Sequence, residues 1–161
     1  MREHLLIAVI LACLNPISGK ADIGENGTGE INGYQIGPKA DLSYAKLQGA
    51  NLSGADLSDA NLTRADLVGA NFTNTKGKNI TSDSKTTLPD DYSISYGYLM
   101  GPNVNLTDIS FTRKILNFNL SGANMTNSDF TASNIVDANL TNTKLNNSDF
   151  TDVLFKNVNL N

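Results

Sequence analysis

From Ala40 to Asn74 the chain repeats one arrangement of apolar and polar positions every five residues: Ala-Asp-Leu-Ser-Tyr, Ala-Lys-Leu-Gln-Gly, Ala-Asn-Leu-Ser-Gly, Ala-Asp-Leu-Ser-Asp, Ala-Asn-Leu-Thr-Arg, Ala-Asp-Leu-Val-Gly and Ala-Asn-Phe-Thr-Asn. The central position is always large and apolar (Leu42, Leu47, Leu52, Leu57, Leu62, Leu67, Phe72), and two residues before each sits Ala (Ala40, Ala45, Ala50, Ala55, Ala60, Ala65, Ala70). Five residues advance about 500° around an α-helix, so these side chains would spiral over its surface and define no apolar face. In a straight strand the odd period sends alternate Leu side chains to opposite faces, and Gly49, Gly54 and Gly69 weaken it further. Both apolar positions stay inside only if the chain turns once per unit. The pattern therefore predicts a coil, with large Leu or Phe alternating with small Ala inside a narrow tube. The outward residues, mostly Asp, Asn, Ser, Thr and Gly, suit its turns.

A second array opens at Val104-Asn105-Leu106, continues through Ile109-Ser110-Phe111, slips by one residue across 113–117, and then runs to the end of the sequence. Its central positions are Leu106, Phe111, Leu120, Met125, Phe130, Ile135, Leu140, Leu145, Phe150, Phe155 and Leu160. The small position loosens to Ala123, Ser128, Ser133, Ala138, Thr143 and Ser148, so this half is expected to pack less tightly at its end.

These units closely resemble the pentapeptide-repeat family, whose pattern is Ala-(Asp/Asn)-Leu-x-x; the resemblance covers residues 40–74 and most of 103–161. It implies an all-β fold, a right-handed quadrilateral β-helix with four units per coil and coils stacked at strand spacing. Stacking of that kind would place Leu120 under Leu140 and Leu160, Phe130 under Phe150, and Asp129 under Asp149. It would also bring Lys46 to Asp66 and Lys39 to Asp59 as exposed ion pairs of little energetic weight. The Asp129 and Asp149 pair reads as solvated and mildly repulsive, with a bound cation the lesser alternative.

Gly33-Tyr34-Gln35-Ile36-Gly37-Pro38, before the first array, recurs as Gly97-Tyr98-Leu99-Met100-Gly101-Pro102 before the second. Each copy is expected to start a coil: the Tyr and the Ile or Met cover an open end, and Gly-Pro turns the chain into the first unit. The entrance residues are thus Gly33, Tyr34, Gly37, Pro38, Gly97, Tyr98, Gly101 and Pro102. This divides one solenoid, residues 31–161, into array one (31–76), a surface loop (77–94) and array two (95–161), preceded by a flexible segment at 22–30. The last coil ends with its edge open, and Leu154, Val158 and Leu160 form a candidate pairing edge. Members of the resembled family dimerise end to end, which makes a homodimer through this coil one expectation, against fraying or capping by the final residues.

The first residues change the picture of where the protein works. Arg2, an apolar run from Leu5 to Leu14 and the breaker Pro16 read as a secretory leader, too short to span a bilayer, with cleavage after Ala21. A rival reading makes Cys13 a lipoprotein attachment site, although Leu11 fits that pattern poorly. A third treats the run as a buried N-terminal helix, for which no amphipathic partner follows. Loss of residues 1–21 would leave ten basic and fifteen acidic side chains, a net charge of −5. That balance gives no electrostatic footprint for nucleic acid or an anionic membrane.

His4 and Cys13 are the only His and Cys, and both fall in the leader. A mature chain without them has no Ser-His or Cys-His nucleophile, no zinc site of the usual ligands and no disulfide. Its carboxylates sit at outward positions dictated by the repeat, so the reading is non-enzymatic, with no cofactor and no metal. Asn-x-Ser/Thr triplets such as Asn51-Leu52-Ser53 arise from the repeat itself and say nothing about modification. The family resemblance also raises the quinolone-resistance members, which resemble duplex DNA and bind DNA gyrase in the cytoplasm. Export would separate this chain from that partner, and Lys39, Lys46, Arg64, Lys144 and Lys156 interrupt any phosphate-like ladder. An ice-binding face would need regular Thr ranks, and Thr131 with Thr151 supplies too few. The sequence thus points to an exported scaffold that binds an unknown protein partner through a flat face, the 77–94 loop or the C-terminal edge.

Overall fold

The computed structural model describes residues 23–161, which contain no helix. The expected leader at 1–21, its cleavage after Ala21, and Cys13 lie outside the described residues. The chain forms a β-helix-like stack of short strands and bridges joined by tight turns. β1 (Gly29–Ile31) and β2 (Tyr34–Ile36) make an antiparallel hairpin, as do β3 (Ser93–Ser95) and β4 (Tyr98–Met100). β5 (Ile115–Leu116), β6 (Asn134–Val136) and β7 (Leu154–Lys156) form a parallel three-stranded sheet.

Each turn of the repeat has a local cause. The Asp or Asn before the central residue accepts the N–H two residues on, as Asp41 Oδ1 does from Ser43 at 3.1 Å and Asn61 Oδ1 from Thr63 at 3.0 Å. The central carbonyl then accepts the N–H three residues on, Ala45 to Leu42 at 3.1 Å. The residue between takes a left-handed φ, 59° at Tyr44 and 60° at Arg64, as the third residue of a type II turn does. This explains why the fifth position of a unit is so often Gly, Asn or Asp.

Parallel bridges join Asp41 to Asn61, Lys46 to Asp66, Asn51 to Asn71 and Asp56 to Lys76, so one coil consumes four units. Where the sequence departs from the repeat, the spacing absorbs it. Asp66 pairs with Thr87 after one extra residue, and Lys76 reaches across the second hairpin to Asn105. Asn105 pairs with Asn124, one residue short, because the central position steps only four residues from Leu116 to Leu120. From Asn119 and Asn139 the twenty-residue spacing resumes.

Two expectations about organisation need correction. Residues 77–94 are not simply a surface loop: Ile80 is buried, and Thr81 and Thr87 bridge to Asn61 and Asp66 as a continuing coil. The β3 hairpin begins at Ser93, inside that stretch. Nor is the segment 22–30 simply a flexible lead-in. The Gly27 carbonyl accepts the Asp56 N–H at 2.8 Å, and Gly29 already belongs to β1. In both cases an exposed row of backbone groups on the neighbouring coil draws the segment onto it.

The core is the inside of the stack. Every central residue from Leu42 to Phe72 is at most 1% exposed, and the Ala positions from Ala45 to Ala70 line the same interior. At 77 the repeat places Gly where Leu is due, and Leu99 of the second hairpin fills the space. A Cβ on Gly77 would lie 2.8 Å from Leu99 Cβ and 2.6 Å from Ile80 Cδ1.

Candidate interaction surface

The apolar interior reaches the surface at the C-terminal coil. Leu106, Phe111, Leu120, Met125, Phe130, Ile135 and Leu140 are buried, but Leu145 and Phe150 are half-buried, and Phe155 and Leu160 are 45% and 59% exposed. Leu145 and Phe150 still pack against the core, whereas Phe155 and Leu160, expected there too, are exposed. No described coil stacks on them, so their outward sides meet solvent. Leu154 is 56% exposed and Val158 half-buried, which places the three candidate edge residues beside Phe155 on one end of the solenoid.

Aromatic side chains run through the second array to this end. Tyr98 meets Phe111 at 5.2 Å between ring centroids, Phe111 meets Phe130 at 5.5 Å, Phe130 stacks on Phe150 at 4.8 Å, and Phe150 meets Phe155 at 5.8 Å. The backbone is open there as well. Met125, Asn127, Phe130 and Ala132 donate their N–H groups to the coil above. Their counterparts Leu145, Asn147, Phe150 and Asp152 make no such bond among the described residues.

The opposite end is partly covered. Tyr34 Oη accepts the Lys46 N–H at 3.2 Å and Gly27 takes that of Asp56, satisfying two donors of the first coil's edge. Ile31 and Ile36 are buried beneath that coil, with Tyr34 half-buried. Gly33 and Gly97 hold φ of 81° and 78° in their hairpin turns. Gly37-Pro38 and Gly101-Pro102 then lead into the first units: Ala40 donates to the Gly37 carbonyl at 3.2 Å, closing a turn with Pro at its second position. Gly101 is required for another reason, since a Cβ there would clash with the Tyr92 ring. The second copy of the entrance sits inside the stack, not at an open end.

The expected ion pairs of Lys46 with Asp66 and Lys39 with Asp59 are absent; among the described residues the one ion pair is Arg64 with Asp83 at 3.6 Å. Asp66 instead accepts from Gln48 Nε2 and from Thr87 Oγ1, which are closer and need no extended Lys side chain. Asp59 accepts from Asn79 Nδ2 at 3.1 Å.

Asp129 and Asp149 do lie on paired positions. The Thr131 side chain and backbone N–H, with Thr112, hold the Asp129 carboxyl down to about 2 from 3.8. Asp149 is lowered by the Thr151 side chain and backbone N–H in the same way, against desolvation and the neighbouring Asp129 charge, which push it up. No group of three or more potential metal ligands occurs among the described residues.

A carboxylate whose folded pKa is depressed contributes stability that is complete above its unfolded value and is lost as pH falls through the folded one. The denaturant midpoint should therefore drop between about pH 4 and pH 2. Asp129→Asn keeps the turn acceptor and should flatten part of that loss; an acid profile identical to that of the native chain would contradict the assignment.

Ser128 and Ser148 hydroxyls, at the small position, donate to the Leu106 and Met125 carbonyls of the coil below. Ser133, fully buried, has no partner for Oγ. Ser133→Ala should raise stability by about 1 kcal/mol, because a buried hydroxyl without a partner carries its desolvation cost uncompensated. A lower urea midpoint for that variant would refute this reading.

The sequence matches the family of pentapeptide repeats in eight copies, over residues 39–76, 117–142 and 133–161. The chain belongs to that family. Comparison with curated proteins finds no match.

Among solved structures it is similar to the pentapeptide repeat protein Rfr23 from the cyanobacterium Cyanothece 51142, at 23% identity over 70% of this chain and 65% of that one, with a TM-score of 0.27. It is also similar to HetL from the cyanobacterium Nostoc sp. strain PCC 7120, a pentapeptide repeat protein involved in heterocyst differentiation regulation. That match has 26% identity over 71% of this chain and 38% of HetL, with a TM-score of 0.22. A third is QnrB1, a plasmid-mediated fluoroquinolone resistance protein, at 17% identity over 72% of this chain and 79% of that one, with a TM-score of 0.20. The chain thus spans less than two thirds of Rfr23 and well under half of HetL.

Proposed function

We propose that this protein is a non-catalytic binding scaffold, exported from the cytoplasm, that engages protein through the C-terminal end of its solenoid. The solenoid is a right-handed, four-sided β-helix, and its two arrays, each led by a hairpin, share one axis. The observation that carries the binding role is the exposure of Leu154, Phe155 and Leu160 beside N–H groups of the same coil that are unpaired among the described residues. Exposed apolar surface next to an open backbone edge favours a partner that supplies both apolar cover and acceptors. A second copy of the same coil, related by a two-fold axis, supplies both.

Export rests on the leader-like pattern of residues 1–21, and the absence of a catalytic role on the repeat-dictated placement of the carboxylates. Both leave the partner's identity to be set by the end surface.

Molecular mass against protein concentration tests the binding role. The native chain should move from one copy to two as concentration rises, and Phe155→Asp with Leu160→Asp should hold it at one copy with its strand-rich circular dichroism unchanged. A native chain that remains a single copy throughout, or a double variant that still pairs, would remove the C-terminal coil as the pairing edge.

A further inference from the structure

The two hairpins are copies with identical geometry: Gly29 pairs with Ile36, Glu30 with Gln35 and Ile31 with Tyr34, as Ser93 pairs with Met100, Ile94 with Leu99 and Ser95 with Tyr98. In each, alternation sends two cross-strand pairs toward the coil that follows and one pair away from it. The inward faces are alike, with Ile36 and Met100 buried and Tyr34 and Tyr98 half-buried. The outward pairs are opposite in character. In the second hairpin the pair is Ile94 and Leu99, and it faces the preceding coil. Leu99 is fully buried and donates its N–H to the Gly77 carbonyl at 3.0 Å, while Ile80 donates to the Gly97 carbonyl at 3.0 Å. In the first hairpin the pair is Glu30 and Gln35, both exposed, with Gln35 Nε2 donating to Glu30 Oε2 at 2.7 Å. The turn glycines differ accordingly. A Cβ on Gly97 would meet Asn79 at 3.5 Å, and one on Gly33 would meet nothing within 4 Å.

We propose that this outward pair decides whether a hairpin joins a coil or ends the stack. Ile94 and Leu99 let the second hairpin seat on the coil below it. Glu30 and Gln35 blunt the N-terminal end, because seating that hairpin on a coil would strip water from a carboxylate and an amide without providing partners. Of the two ends described, that leaves the C-terminal coil of residues 142–161 as the adhesive one. Self-association through that coil closes at two copies and does not run on as a filament, since head-to-tail contact, which has no point of closure, is blocked.

This inference rests partly on the adhesive C-terminal coil proposed above, and the test separates the two. The full chain carrying Glu30→Ile and Gln35→Leu should form head-to-tail species larger than two copies, growing with concentration by light scattering. Adding Phe155→Asp and Leu160→Asp to that variant should return it to a single copy. If the native chain pairs but the Glu30→Ile, Gln35→Leu variant grows no larger, the inference falls while the pairing edge stands. If the native chain stays single and the variant grows only with an intact C-terminal coil, the pairing reading falls and this one stands. Growth that persists in the quadruple variant is non-specific adhesion and overturns the inference, as does a native chain that already forms long assemblies.

Discussion

Phe130→Ala is expected to lower the stability of the protein by about 3–5 kcal/mol, the range for truncating a buried aromatic side chain whose neighbours relax only partly. Phe130 is 1% exposed and lies between Phe111 and Phe150, stacked on the latter with ring planes 3° apart. Its removal opens a gap in the middle of the column that links the second hairpin to the C-terminal coil. In a repeat stack each coil contacts only its neighbours, so the loss falls on both adjoining interfaces at once. Phe155→Ala, at the exposed end of the same column, should cost under about 1 kcal/mol. Urea unfolding followed by circular dichroism reads both, and equal losses at the two positions would show that the column does not carry stability as described.

The second large effect runs against the repeat. Gly77→Leu restores the residue that the five-residue pattern calls for at that position, yet it is expected to destabilise by about 3 kcal/mol, since extra atoms in a filled core force neighbours off their rotamers and shift the backbone. The space belongs to Leu99, whose own Cβ is 2.8 Å from where a Cβ on Gly77 would sit. The backbone bond from Leu99 N–H to Gly77 holds the hairpin there, so it cannot withdraw without breaking the junction between the arrays. A Gly77→Leu chain as stable as the native one would mean that the hairpin is not seated on this coil.

The coil was legible because its causes are local. Leu at every fifth position, Ala two before it and Asp or Asn between them state the inward pair and the turn acceptor directly, and Leu42 to Phe72 are buried accordingly. The four-residue step from Leu116 to Leu120 was visible as a slip, but it hid Leu116, which is buried as a full member of the core. Residues 77–94 looked like a loop because Ser82 stands where the centre after Thr81 is due, and the next centre, Leu88 after Thr87, arrives one residue late. What holds them is the backbone of Asn61 and Asp66 one coil earlier, at the twenty-residue spacing for Thr81 and one residue beyond it for Thr87.

The recurrence of the Gly-Tyr-x-x-Gly-Pro entrance was evident, whereas the different tasks of its two copies were not. Gln35 and Leu99 occupy the same place in the repeat of that motif, and only their burial separates a cap from a joint. At the C-terminal end Phe155 and Leu160 obey the rule for core residues, and nothing in their own units distinguishes them from Ile135 and Leu140. Their exposure depends on what lies on the next coil position, where no described residue stacks.

Hydrogen exchange of the backbone amides of the full chain, measured at low and high protein concentration, tests the central claim most directly. Exchange reports the opening of individual hydrogen bonds, and a free edge donor exchanges freely until it gains an acceptor. At low concentration the amides of Leu145, Asn147, Phe150 and Asp152 should exchange fast beside the slow Met125, Asn127, Phe130 and Ala132, and at high concentration the first group should become protected while residues 29–36 do not change. Protection that is independent of concentration, or that grows at the N-terminal hairpin instead, would contradict a solenoid that is capped at one end and binds at the other.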